Sequence, residues 1–314
     1  MNSYSINNKT LPCCTAGTWA WGKGMNGSKI VFGKSYSEAD LEKAFEKAYS
    51  LGFTMWDTAE IYGMGNSEKI LGCFIKDKSD VIISTKFNPP PKYASRAAKK
   101  ALCSSLERLG VKSVDLYWLH QPENLVQNLG DFAELEKQGK IKKIGVSNCS
   151  LEQIKKVQKI LENHGTRLYA VQNHYSLLTD EKQNEILSYC KKKNILYFGY
   201  MVLEQGALSG KYSEKNPFPF FSMRRFLFGK NKLRKIKDLL AFQKQLAEKY
   251  SVRPSQIPII WAVSKGVIPI IGLTNEAHAQ ALSAVNKVLL TNDEIKTLEE
   301  LAKKSGVISK ASWE

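Results

Sequence analysis

The chain has 314 residues, 43% of them hydrophobic and 24% charged, an ordinary balance for a protein with a full core. No run approaches the roughly 18 uncharged apolar residues that span a bilayer, and residues 1–10 lack the apolar stretch of a secretory signal, so a cytoplasmic protein with no membrane contact is expected. The net charge of +16 comes from 46 basic and 30 acidic residues, but its lysines are scattered, as at Lys99-Lys100, Lys155-Lys156 and Lys191 to Lys193, in the manner of solvated helix faces, and no nucleic-acid partner is expected.

A short first strand is expected near Ala16–Ala20. Gly22-x-Gly24-x-x-Gly27 follows with dinucleotide-binding spacing, yet residues 28–33 read as loop rather than as the helix that motif opens, so no Rossmann site is expected. Residues 37–50 place Leu41, Phe45 and Ala48 at helical spacing, with Ser37 as N-cap and Leu51-Gly52 as the stop. Strands then read at 53–56 and 81–85, a helix at 95–109 ending before Gly110, and strands at 114–119 and 141–146. A helix over 151–163 takes Ser150 as N-cap, a strand follows at 168–172, and a helix over 179–193 takes Thr179. After a strand at 195–201, residues 211–237 break the alternation. From Lys215 onward this basic loop carries Arg224, Arg225, Lys230, Lys232, Arg234, Lys235 and several phenylalanines, with no acid. Loops this long are functional or disordered, so both a functional cover and a solvated insert stay open. A helix over 254–265 contains Pro258, which predicts a kink. A strand at 267–271 and a helix at 293–304, lying outside or forming a tail, complete the chain.

Strand and helix alternating this regularly imply a parallel sheet. Eight units fit a closed (β/α)8 TIM barrel, one domain over residues 1–314 with a C-terminal helical extension. The six cysteines contain no Cys-x-x-Cys; neither a disulfide framework nor a metal site is expected, only reduced, mostly buried thiols.

Barrel active sites sit at the C-terminal ends of the strands. There the chain offers Asp57 and Tyr62 after the second strand, Lys86 after the third, His120 after the fourth, Ser147-Asn148 after the fifth and Gln172-Asn173-His174 after the sixth. A carbonyl that accepts hydride builds negative charge on oxygen and needs a proton. A phenol of pKa about 10 becomes a better acid beside a lysine cation. A buried lysine needs a counter-charge, which Asp57 can supply, and His120 can donate a hydrogen bond to the carbonyl oxygen. Taken singly, a strand-end Asp is more often a helix cap and a lone His a structural hydrogen-bonder.

These residues resemble the aldo-keto reductase superfamily. The resemblance rests on Asp57-Thr58-Ala59-x-x-Tyr62-Gly63, Ser84-Thr85-Lys86, Asp115-Leu116-Tyr117-x-Leu119-His120 and Gly145-Val146-Ser147-Asn148. It continues through Gln172-Asn173, the run from Tyr200 to Tyr212 and Ile270-Ile271-Gly272, in family order along nearly the whole chain. It implies Tyr62 as general acid, Lys86 and Asp57 as its tuning pair, and His120 as substrate orienter. It further implies that Ser147, Asn148 and Gln172 hold the nicotinamide carboxamide, although turn and cap chemistry is their alternative. Tyr200 would stack on the nicotinamide, and backbone at Leu203, Gln205 and Gly206 would meet the pyrophosphate with Ser209 and Lys211 nearby. Thr18 and Trp19 would line the pocket, and Gly272, Thr274 and Gln280 would face the adenosine. Trp19, Trp21, Trp56, Trp118 and Tyr175 suggest an aromatic pocket wall, with the barrel core as the alternative for Trp56 and Trp118.

The pattern breaks in two places. Met201 and Val202 replace the family's Ser-Pro. Thr274 stands where a cation often grips the 2′-phosphate of NADP, and His278, Gln280 or Ala281, and Leu282 stand where Gln and Glu-Asn meet adenine. Arg224 or Arg225 of the basic loop, or Lys287, could supply the missing cation. The expectation is an oxidoreductase that reduces an aldehyde or ketone to an alcohol with NADPH, NADH being the alternative. A nicotinamide-binding regulatory or scaffold protein with little turnover, docking through the basic loop, is the second reading. The partner is a small carbonyl compound, and the chain is expected as a monomer or weak oligomer.

Overall fold

A computed structural model describes residues 4–23, 28, 33–220 and 222–310. The Gly24 and Gly27 of the glycine spacing, and most of the loop read at 28–33, lie outside the described residues. The chain opens with a hairpin of β1 (Ser5–Ile6) and β2 (Lys9–Thr10), which was not expected. Its loop is Asn7-Asn8 with φ of 50° and 62°, the left-handed pair that a two-residue hairpin demands and asparagine tolerates.

The eight strands that follow close into the expected barrel. They are β3 (Thr15–Gly17), β4 (Met55–Asp57), β5 (Ile82–Phe87), β6 (Leu116–Leu119), β7 (Ile144–Ser147), β8 (Leu168–His174), β9 (Leu196–Tyr200) and β10 (Ile268–Gly272). Each is parallel to its neighbours, and β10 returns to pair with β3. A strand's side chains alternate between faces. Met55, Ile82, Leu116, Trp118, Ala170, Phe198 and Ile268 point inward and fill the barrel, joined from below by Ile6 and Leu11. Trp56, Ile83, Tyr117, Val146, Val171 and Tyr197 point outward beneath the helices.

The hairpin plugs the N-terminal mouth. Lys9 Nζ donates to Val81 O at 2.7 Å, Asn7 Nδ2 to Asp115 Oδ1 at 3.4 Å, and Tyr169 OH to Ser5 O. Val81, Asp115 and Tyr169 all lie at strand beginnings, so the opposite, C-terminal mouth is left for chemistry.

The helices follow their caps. In α1 (Glu38–Ser50) the Ser37 side chain accepts from Asp40 N–H. Next come α2 (Asn66–Ile75) and α3 (Ala97–Leu109), the latter stopped by Gly110 at φ 67°. Then follow α4 (Leu125–Lys137), α5 (Leu151–Asn163) with a capping box of Ser150 and Gln153, and α6 (Lys182–Lys192). Several expectations are corrected. The first strand covers 15–17 rather than 16–20, because Trp21 N–H turns back to Thr18 O in a 3-10 turn. Thr179 is no N-cap: its hydroxyl donates to Ser176 O at 2.8 Å, and the helix starts at Lys182.

The basic segment is folded, not a solvated insert. It forms α7 (Met223–Leu227) and α8 (Lys230–Lys235), with Phe218, Phe228, Leu233 and Ile236 buried. After α9 (Lys237–Lys249) comes α10 (Gln256–Ser264), where Pro258 falls in the first turn. An N–H there would have no intrahelical acceptor, so proline breaks nothing and the expected kink has no cause. After α11 (Glu276–Leu282), α12 (Asn292–Lys304) packs on α9, and its Glu294 accepts from Lys249 Nζ at 2.6 Å and Tyr250 OH at 2.7 Å. All six cysteines are free; Cys14, Cys149 and Cys190 are buried but Cys73 and Cys103 are exposed, so the thiols are less buried than expected. Among the described residues no helix is long and apolar enough to cross a membrane, and no cluster of His, Cys, Asp and Glu could hold a metal ion.

Trp118 owes its place inside the barrel to Gly145, its register partner on β7. A Cβ at Gly145 would lie 2.2 Å from the Trp118 ring. Gly145→Ala is expected to destabilise the fold by about 1–3 kcal/mol through overpacking, read as a lowered urea midpoint; an unchanged midpoint would show that the ring can move aside.

Candidate active site

The inward parity that fills the barrel also builds its upper rim. Asp57 follows Met55, Ser84 and Lys86 follow Ile82, His120 follows Trp118, and Gln172 and His174 follow Ala170, each by steps of two. Lys86 is fully buried and forms an ion pair with Asp57 Oδ2. Its ammonium also donates to Thr58 O at 2.8 Å. The other carboxylate oxygen, Asp57 Oδ1, accepts from Ser84 Oγ at 2.6 Å and Gln172 Nε2 at 3.2 Å.

Tyr62 lies over this pair, half-buried, with Lys86 Nζ 4.9 Å from its ring centroid. The His120 ring stands edge-on to it at 6.2 Å, and Trp19 stacks on it at 6.0 Å. So Asp57, Tyr62, Lys86 and His120 are brought together as expected. Burial lowers the Lys86 pKa, and the Asp57 charge opposes that shift. Burial, then the Asp57 charge, raises the Tyr62 pKa well above 10. That reverses the expected acidification: Asp57 neutralises the lysine's field while desolvation penalises the phenolate. Burial, reinforced by Lys86, pushes His120 down to about 3, so its imidazole is neutral. Its Nδ1 is buried with no hydrogen-bond partner among the described residues.

On the β7–β9 side, Ser147 Oγ donates to Gln172 O at 2.7 Å and Asn148 Nδ2 to His120 O at 2.9 Å. Tyr200 OH donates to Asn148 Oδ1 at 2.6 Å. Beyond β9 the chain turns tightly through Leu203, Gln205 and Gly206, with φ of 52° at Gln205 and 105° at Gly206. Ser209 Oγ closes on Gly206 O at 2.6 Å, and Lys211 N–H donates to that hydroxyl at 3.2 Å. Thr18 is buried, its hydroxyl donating to Asp57 O at 3.2 Å and accepting from Ser67 Oγ at 2.9 Å. Gly272 ends β10 with open space where a side chain would be. Thr274 is buried, and Gln280 is exposed on α11.

Other expectations shift. Trp21, Trp56, Trp118 and Tyr175 are core residues: Trp56 packs on Phe45 at 4.6 Å, Trp118 on Phe198 at 5.3 Å and Tyr175 on Trp261 at 5.1 Å. Only Trp19 of that group stands beside Tyr62. Arg224 lies 5.6 Å from the Phe218 ring and Arg225 5.3 Å from the Phe220 ring, with Arg225 Nη1 also donating to Phe218 O. Two buried carboxylates were not foreseen. Glu68 accepts from Thr85 Oγ1 at 2.5 Å and Arg108 Nε at 2.7 Å, and its place beside Ser67, Ile70 and Leu71 on one face of α2 is the signal that was available. Glu204, bonded to His174, had no local signal.

Two consequences can be measured. Lys86→Met leaves the Asp57 charge buried alone and is expected to lose about 3–5 kcal/mol of stability, much of it regained in Lys86→Met/Asp57→Asn; equal losses in chemical denaturation would mean that the pair is not coupled. His120 has a folded pKa of about 3 against 6.5 when free, so the unfolded chain binds the extra proton in that window. Stability relative to His120→Gln is therefore full above pH 6.5 and lost as pH falls toward 3. Parallel pH profiles of the two unfolding free energies would refute a buried neutral His120.

Comparison with known proteins follows the same lines. The model of the aldo/keto reductase family matches residues 15–303. The chain is 32% identical to a chloroplastic pyridoxal reductase of Arabidopsis thaliana over 309 residues, covering 92% of this chain and 82% of that one. A glycerol dehydrogenase from Gluconobacter oxydans shares the fold with a TM-score of 0.83 at 24% identity, over 99% of this chain and 98% of its own. An aldo/keto reductase from Klebsiella pneumoniae, solved with NADP and acetate, superposes with a TM-score of 0.71 at 21% identity, over 93% and 92% of the two chains. A family match across most of the chain, on a barrel with this constellation at its mouth, places the protein in the aldo/keto reductase family of oxidoreductases, whose members in general reduce carbonyl groups with NADP.

Proposed function

We propose that the protein, acting as one barrel domain, reduces an aldehyde or ketone to an alcohol with NADPH, and that Tyr62 delivers the proton. The observation that carries this reading is the buried Lys86–Asp57 pair beneath Tyr62, with a neutral His120 at the same mouth. The residues suit a nicotinamide cofactor. Asn148 and Gln172 offer amide groups complementary to a carboxamide, Ser147 adds a hydroxyl, and Tyr200 offers a ring beside them. The turn at Leu203, Gln205 and Gly206, with Ser209 and Lys211, would take the pyrophosphate. When bound, the cofactor supplies the hydride that goes to the carbonyl carbon.

The chain's own residues do the rest. His120, uncharged, donates to the carbonyl oxygen and fixes its direction. Tyr62 stays protonated up to high pH, so the phenol is always ready to give its proton to that oxygen. Lys86, whose ammonium lies 4.9 Å from the Tyr62 ring centroid, then stabilises the tyrosinate. The ion pair thus acts on the phenolate after proton transfer rather than on the resting phenol. Trp19, stacked on Tyr62, suits a planar substrate. The aromatic aldehyde named by the plant relative, pyridoxal, is the first compound to try.

Preference for NADPH is supported at the adenosine end. Arg253 Nη1 reaches Ala277 O on α11 at 3.4 Å. Burial lowers the pKa of His278 on that helix, and the charges of Arg253 and Lys34 add to the shift. The second reading, a cofactor-binding scaffold, is favoured by one observation: Phe220 and Phe226 are 75% and 86% exposed on the basic segment.

The test is the rate of NADPH and NADH oxidation with pyridoxal and with an activated benzaldehyde. Tyr62→Phe should lose about 10²- to 10⁴-fold in kcat, and NADPH should be preferred. A mutant that keeps its rate removes Tyr62 as donor. Equal rates and affinities with the two nucleotides remove the cofactor preference. Nucleotide binding without turnover moves the protein to the scaffold reading.

A further inference from the structure

Glu204 lies in the turn after β9 with no exposed surface. A carboxylate taken out of water must be met by donors or opposite charge, and both oxygens of Glu204 are. Oε1 is bonded to His174 Nε2 at 2.8 Å and accepts from Ser176 Oγ; Oε2 accepts from Ser309 Oγ at 2.6 Å. The partners come from distant parts of the chain: the end of β8, the turn after it and the segment beyond α12. That last segment is itself anchored. Ser309 N–H donates to Leu178 O at 2.8 Å, and Val307 is buried.

The backbone that Glu204 controls is strained. Met201, Glu204 and Gln205 have φ of 56°, 48° and 52°, a region that side chains other than glycine enter only when their surroundings leave no alternative. The same carboxylate reaches the other half of the site. The His174 ring it holds lies parallel to the Tyr200 ring at 5.7 Å and 15°, and Tyr200 OH in turn holds Asn148.

The geometry points to a carboxylate clamp: Glu204, held by His174, Ser176 and Ser309 of the C-terminal segment, is the positioning residue that keeps the 201–206 turn in the shape that receives the cofactor's pyrophosphate. The inference rests on the proposed cofactor reading. It makes the C-terminal segment a determinant of nucleotide affinity acting through Glu204. A turn released from the clamp spends only part of its time in the receiving shape, and apparent affinity falls by that fraction. Once the nucleotide is bound the shape is restored, so turnover at saturation is unaffected.

The test measures the Kd for NADPH by calorimetry, with thermal unfolding and saturated kcat alongside, for wild type, Ser309→Ala, Ser309→Thr and Glu204→Gln. Ser309→Ala should raise Kd about tenfold if one-tenth of the released turns remain in the receiving shape, with kcat and the aldehyde KM within about twofold of wild type. Ser309→Thr, which keeps the hydroxyl, should restore most of the affinity. Glu204→Gln should weaken binding in the same direction. Ser309→Ala, the milder change, keeps the test valid if Glu204→Gln folds poorly. Unchanged Kd in folded Ser309→Ala overturns the clamp and leaves the cofactor reading standing. Equal losses in Kd, kcat and aldehyde KM overturn it too, because they mean general disruption. A wild type that binds no NADPH overturns the cofactor reading, and the clamp with it.

Discussion

The ion pair between Lys86 and Asp57 is the interaction on which the upper half of this barrel depends. Two charges out of water are favourable only when geometry and further hydrogen bonds are both good. Here both are supplied by the barrel strands. Thr58 O follows β4, while Ser84 Oγ and Gln172 Nε2 belong to β5 and β8, so the pair ties distant parts of the closed sheet together. It also adds to the shifts that burial causes at the site. The Lys86 cation helps to keep His120 neutral, and the Asp57 anion helps to keep Tyr62 protonated.

The two mouths of the barrel are built on opposite physical terms. The N-terminal one is closed by an apolar plug, Ile6 and Leu11, on a hairpin whose turn uses two asparagines suited to their φ values. The C-terminal mouth puts positive φ on Met201, Glu204 and Gln205, which tolerate it less readily than asparagine, as well as on Asn148. Strain of this kind persists only where surrounding contacts over-determine the backbone. For Asn148 those contacts are Tyr200 OH and His120 O; for Glu204 they are the three partners of its carboxylate.

What was legible in the chain was what depends on neighbours in sequence. Position after successive strand-like runs places Lys86, His120 and Gln172 at one mouth of a barrel, and Ser37 and Ser150 mark helix starts because caps are local chemistry. Features decided by distant contacts were not legible. Thr179 resembles a cap, but its hydroxyl is drawn back to Ser176 O. Trp21 and Tyr175 resemble a pocket wall until Trp56 and Trp261 pack against them. Residues 211–237 carry no amphipathic period, yet Phe218 and Phe228 bury themselves and fold the segment into two short helices. The Glu204 cluster joins Glu204 to Ser309, 105 positions away, and to His174 on the other side in sequence, and no window of sequence contains it.

The same distinction governs the adenosine end. Thr274 removes a cation from one position in the sequence, but a phosphate responds to charge in space. Screening at physiological salt acts over about 8 Å, so a guanidinium a turn or two away serves if nothing else occupies it. The basic segment is poorly placed to fill that role, since Arg225 is held by Phe218 O and the Phe220 ring. Arg253 is different: its partner is a backbone carbonyl of α11 itself, at a long 3.4 Å, so its charge lies on the helix that the adenosine would approach. A cation that is weakly committed and lies on that helix is worth more to an incoming phosphate than Arg225, which Phe218 O and the Phe220 ring already hold, which is why the proposed preference for NADPH leans on Arg253.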